Sequence, residues 1–140
     1  MRKIIKSFLM MLLAIILCMT SLPIYATDTC STITPRLSHM NKATFDFLAD
    51  SSGGHVEVYY YGNSSSFVQA KISVKVQKKF LWVFWSDVDE WSSTSTELYG
   101  NFYHIFTLNG SGTYRAQFTL EVTGADGTID VVTDTIENSY

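Results

Sequence analysis

The chain has 140 residues, 10 Lys+Arg against 13 Asp+Glu, and 46 % hydrophobic residues. Arg2, Lys3 and Lys6 fall in an N-terminal leader, so the seven cations after residue 26 face all 13 acids, a net −6 with His neutral. About 114 residues make one domain, enough for a single core that buries about two-thirds of the unfolded surface. An acidic balance without a Lys/Arg cluster argues against nucleic acid or anionic lipid as partners.

The leader has the layout of an export signal. A charged start precedes an unbroken apolar run from Phe8 to Met19, shorter than the ~20 residues a bilayer helix needs. Pro23 then breaks the run, and Ile24-Tyr25-Ala26 places a small residue before a cut after Ala26. An uncleaved anchor is the alternative. Cleavage makes the protein secreted, in contact with the membrane only through the signal peptide. Ile16-Leu17-Cys18 lacks the small residues of a lipoprotein site, so Cys18 leaves with the leader. Cys30 then stands alone with no internal disulfide to form. It is an idle thiol in a tail or half of an intermolecular bridge.

Residues 27–43 are rich in Thr and Ser, contain Pro35 and show no period, which reads as a flexible lead-in. The pattern then becomes period two. Thr44–Asp50 alternates Phe45, Phe47 and Ala49 with Thr44, Asp46 and Leu48. After a Ser51–Gly54 turn, His55–Tyr61 sets Val56, Val58 and Tyr60 on one face and Tyr59 and Tyr61 on the other. Val68, Ala70, Ile72, Val74 and Val76 alternate with polar residues as in a half-buried strand.

Phe80–Trp85, apolar on both faces, is expected to be an interior strand. Ser86–Gly100 loses the alternation and is expected to be a long polar loop. Phe102–Leu108 is a strand, and Asn109–Gly112 a glycine-supplied hairpin turn. Thr113–Thr123 places Tyr114, Ala116, Phe118, Leu120 and Val122 inward. Ala125-Asp126-Gly127 turns the chain into Thr128–Thr135, with Asp130 and Asp134 outward on an edge; the domain is expected over 44–136, with 137–140 a fraying tail. Seven short strands with one apolar face each pack as two sheets. The fold class is all-β, an immunoglobulin-like antiparallel β-sandwich of about seven strands behind a cleaved signal peptide; an open barrel is the alternative.

At Leu108-Asn109-Gly110-Ser111-Gly112-Thr113-Tyr114-Arg115 the chain resembles the penultimate strand of bacterial immunoglobulin-like and polycystic-kidney-disease-type sandwich domains. Those domains start that strand with a Gly-x-Tyr step. Tyr114 fits a structural role in which the ring is buried and the hydroxyl bonds upstream backbone. Together with the leader, the Ile72–Phe80 strand and the Trp-containing segment, this looks like a group of small exported proteins of Gram-positive bacteria. The resemblance implies export and a β-sandwich and carries over no activity. The antibody-type cysteine pair is absent.

Aromatics are the outstanding chemical feature, with 3 Trp, 7 Tyr and 8 Phe after residue 26. Trp82, Trp85, Trp91, Tyr59 and Tyr61 are the candidate ligand-binding residues, since exposed rings stack on sugars or on apolar partner surface. Packing of the same rings in the core is the competing reading. Asp87-x-Asp89-Glu90 offers three carboxylates but no glycine-punctuated calcium loop, so it reads as a solvated acidic loop. His39, His55 and His104 are scattered, no zinc spacing is present, and no nucleophile elbow singles out one of the many serines. No catalytic residue, metal or cofactor is expected. The chain reads as a non-catalytic binding module for an extracellular glycan, or else as a protein-interaction domain. A membrane-active toxin ranks below both, because −6 is the wrong sign for anionic lipid.

Overall fold

A computed structural model describes residues 29–33 and 37–140. The expectations for the leader, Cys18 and Pro35 lie outside the described residues. The described residues form eight strands: β1 (Thr29–Ile33), β2 (Met40–Asp50), β3 (Gly53–Gly62), β4 (Phe67–Phe80), β5 (Phe84–Ser95), β6 (Tyr99–Phe106), β7 (Thr113–Gly124) and β8 (Ile129–Ser139). They form two four-stranded antiparallel sheets, ordered β1-β2-β3-β6 and β5-β4-β7-β8. The result is a β-sandwich. β5 and β6 meet along one side, and β8 lies against β1 and β2 along the other.

The core follows from the period-two pattern. Phe45, Phe47 and Ala49 of β2, Val56, Val58 and Tyr60 of β3, and the even-numbered residues Tyr114 to Val122 of β7 are all buried. Phe45 and Phe118 meet across the sheets at 5.2 Å between ring centroids. Burial of each such ring is worth about 1.5–3 kcal/mol relative to exposure, and this is what joins the two sheets.

Thr29–Ile33 is not part of a flexible lead-in; it pairs with β2, and Cys30 stands opposite Asp46. β2 also starts earlier than expected, at Met40, which is buried. Its neighbour His39 is buried too, with its backbone N–H donating to Asp130 Oδ2 (2.6 Å) and its Nε2 2.7 Å from Thr128 Oγ1. The imidazole lies over Gly124, where an added Cβ would come within 2.3 Å of the ring.

Val68 is exposed rather than inward, because a bulge between Phe67 and Gln69 shifts the register. A second irregularity after Val76 buries both Val76 and Gln77. Phe80–Trp85 is not an interior strand: Phe80 ends β4, Leu81–Val83 is a hairpin loop, and Phe84 begins β5.

Ser86–Gly100 is mostly strand, comprising the rest of β5 and the start of β6. Its polar composition suits an edge, since among the described residues β5 has a strand partner on one side only. The Asn109–Gly112 segment is not a hairpin turn, because it carries the chain from β6 in one sheet to β7 in the other. Asp130 and Asp134 share the inner face of β8 with Val132 and Ile136, and inward charge on an edge strand opposes edge-to-edge pairing. The C-terminus does not fray. β8 runs to Ser139, Gly112 and Tyr140 exchange backbone hydrogen bonds, and the Tyr140 ring stacks on Tyr114 at 6.0 Å.

Candidate functional site

The structure sends the five candidate rings to three different places. Tyr59 and Tyr61 lie on the outer face of the first sheet, Trp82 and Trp85 at the end of the β4–β5 hairpin, and Trp91 between the sheets. A single site using all five is therefore ruled out by geometry.

Trp91 packs partly buried against the core. Its indole stacks on His104 at 5.0 Å with the planes 5° apart and meets the Phe102 ring edge-on at 6.4 Å. His104 Nε2 in turn lies 2.6 Å from Asp89 Oδ2. This cluster stitches β5 to β6. The acidic run is no loop cluster: Asp89 points to His104, while Asp87 accepts from Gln77 Nε2 (2.6 Å) and pairs with Lys75 (2.8 Å) on the outer face. Those two donors hold the Asp87 carboxyl below its ordinary value, the Lys75 bond most strongly. Among the described residues no group of three or more His, Cys, Asp or Glu could hold a metal ion.

Tyr114 is fully buried, and its hydroxyl donates to the Gly110 carbonyl at 2.6 Å. A phenol at this depth needs a partner, and the bond pins the β6–β7 crossover to the start of β7.

The outer face of β2, β3 and β6 is a grid fixed by register. Lys42, Tyr61 and Tyr99 form one row, Thr44, Tyr59 and Asn101 the next, then Asp46, Glu57 and Tyr103. Rows stand about 7 Å apart and strands about 5 Å apart. Four tyrosines, at positions 59, 61, 99 and 103, thus share one face, each 46–71 % exposed. Glu57 Oε1 accepts from both Tyr59 Oη (2.7 Å) and Asn101 Nδ2 (2.6 Å), which holds these side chains upright. The same carboxylate raises the Tyr59 phenol above its ordinary value. A shallow depression of about 410 Å³ lies beside the rings, lined by Lys42, Thr44, Tyr59, Tyr60 and Tyr61.

Tyr99 and Tyr103 were missed by the sequence reading. Their alternation Tyr99, Asn101, Tyr103, Ile105 is plain once the strand starts at Tyr99, but the inward residue Gly100 reads as a breaker. It is Gly because the Tyr60 ring passes over it; an added Cβ would lie 2.9 Å from the Tyr60 hydroxyl.

At the hairpin end, Trp85 is half-buried on the outer face of the second sheet. The Arg115 guanidinium sits 4.1 Å from its ring centroid and Lys79 Nζ 5.6 Å. Arg115 Nε also donates to Gln77 Oε1 at 2.8 Å. Trp82 stands apart, 91 % exposed at the apex. No protein-family model and no curated protein matches the chain.

Proposed function

We propose that this chain is an exported, non-catalytic binding module on an immunoglobulin-like sandwich, and that its tyrosine face holds a polymeric extracellular glycan. The observation that carries the reading is the flat array of Tyr59, Tyr61, Tyr99 and Tyr103, flanked by the hydrogen-bonding groups of Asn101, Glu57 and Lys42. Sugar rings have apolar faces that stack on phenols and hydroxyl rims that bond to amides and carboxylates. Each well-placed ring adds about 0.5–1.5 kcal/mol, if aromatic pairs are a guide, so affinity is modest and depends little on salt.

The immunoglobulin-like reading is supported by strand order. β3 lies beside β6 in one sheet, and β5-β4-β7-β8 form the other, as strands B and E and strands C′, C, F and G are arranged in that fold. A tyrosine opening the penultimate strand and bonding upstream backbone fits the same pattern. Export rests on the charged, apolar and small-residue layout of residues 1–26, as does the kinship with small exported proteins of Gram-positive bacteria.

The test is retention of the full chain on insoluble polysaccharides and bacterial sacculi. Retention that falls at least tenfold in the Tyr61→Ser/Tyr99→Ser variant supports the reading, and equal retention of both proteins overturns it. A protein partner is the second reading, favoured by one observation: among the described residues β6 has a strand neighbour on one side only, with Ile105 exposed beside Tyr103. A partner strand added there would slow amide exchange along β6, whereas a glycan on the face would leave that edge exchanging.

A further inference from the structure

We propose that the β4–β5 hairpin tip is a membrane-docking wedge whose apolar apex enters the interfacial layer of a lipid bilayer while cations at its base meet the phosphate headgroups. Phe80, Leu81, Trp82, Val83 and Phe84 are consecutive and each 58–91 % exposed. A continuous apolar cluster of this kind, as opposed to scattered single residues, marks an interaction surface.

The backbone supplies an independent argument. Leu81 and Trp82 have φ of 47° and 68°, the left-handed region where Gly or Asn costs least and other L-residues are strained. The loop thus places large apolar side chains where turn chemistry calls for glycine, so their presence answers a demand other than chain reversal. Strain of this sort gathers at functional positions.

Shape and charge select lipid as the occupant. The apex is a convex point, so a fluid bilayer can receive it without a matching groove. From Phe80 or Phe84 to Trp82 the hairpin advances about 7 Å at ~3.3 Å per residue, which matches the ~5–10 Å by which interfacial elements enter a bilayer. Trp85 stands at the base, where indoles favour the headgroup level. Lys79 and Arg115 lie over the Trp85 ring at that base, Lys78 beside them donates to the Asn109 and Gly110 carbonyls, and Asp87, the first acid after the tip, is paired with Lys75. The tip itself, residues 80–86, carries no acid, so within a Debye length anionic headgroups meet the two cations at Trp85 first. Among the described residues no helix is long and apolar enough to cross a membrane; the wedge docks and does not span.

The test uses the full chain and vesicles of phosphatidylcholine with or without phosphatidylglycerol, carrying bromine on the acyl chains. All three tryptophans lie in the sandwich and the leader has none, so quenching reports the tip even if the leader itself binds lipid. We expect strong quenching on phosphatidylglycerol vesicles, and loss of most of it in Trp82→Phe. Lys79→Gln, which removes a cation that lies over the Trp85 ring, should need severalfold more anionic lipid for half-maximal quenching, with an unchanged melting curve. Wild-type protein that sediments with vesicles while its tryptophans stay unquenched overturns the proposal. So does a dimer that dissociates in Trp82→Ser without any lipid effect, which would assign the tip to a second copy of the chain.

Discussion

Val74 and Val83 belong to one hairpin, yet the first is 2 % exposed and the second 73 %. The difference does not lie in the residues. Val74 is on the stretch of β4 covered by the other sheet, where Phe118 is its cross-strand neighbour on β7. Val83 lies in the loop that joins β4 to β5, beyond the last strand pair Phe80–Phe84. Hydrophobicity offers a side chain for burial, and only an opposing layer accepts it. Where no layer exists, the same composition stays exposed.

The largest expected effect contrasts the two environments directly. Phe118→Ala removes a ring that packs on Phe45 and should cost about 3–5 kcal/mol, while Trp82→Ala at the apex should change stability by less than about 0.5 kcal/mol. Denaturant unfolding of both variants checks this, and a comparable loss in Trp82→Ala would mean that the apex is packed in solution. Next in size, Tyr114→Phe removes the hydroxyl bond to Gly110 and should cost about 1 kcal/mol. An unchanged melt would show that the crossover is held without that bond.

Trp82→Gly sharpens the comparison from the other side. It relieves a left-handed φ and should stabilise the fold by up to about 1 kcal/mol, although it deletes the largest exposed ring. A less stable Trp82→Gly would contradict the assignment of strain to this loop.

The smallest effect concerns the outer face beside the hairpin. Asp87 is held below its ordinary value by Lys75 and Gln77. With the folded value depressed, its contribution is fully present above the unfolded value, about pH 4, and is lost as pH falls through the lower folded one. Asp87→Asn should therefore flatten the stability profile only below about pH 4. Its exposure keeps the change slight, and a difference that persisted down to the acid limit would point to another role for this side chain.

What could be read from the sequence follows the same division. β7 was legible residue by residue because the opposing sheet covers one of its faces, so every second side chain had to be apolar. β5 was not, because an edge strand can be polar on both faces; Trp91 is its one large inward ring. The apex was misread for the opposite reason: an unbroken apolar run imitates a central strand, and the reversal at Leu81 and Trp82 carries no Gly, Asn or Pro to announce it. Half of the tyrosine face was visible, since Tyr59 and Tyr61 alternate with core residues. Tyr99 and Tyr103 were hidden by a glycine whose reason is the Tyr60 ring, a contact between strands almost forty residues apart.

If the tyrosine face holds glycan and the hairpin tip docks on lipid, as proposed, one retention measurement with two variants side by side separates the two sets of exposed rings. On the same insoluble polysaccharide, the Tyr61→Ser/Tyr99→Ser variant should be released while Trp82→Ser stays bound like the wild type. Release of Trp82→Ser with retention of the tyrosine variant would contradict the division and move the glycan site to the hairpin.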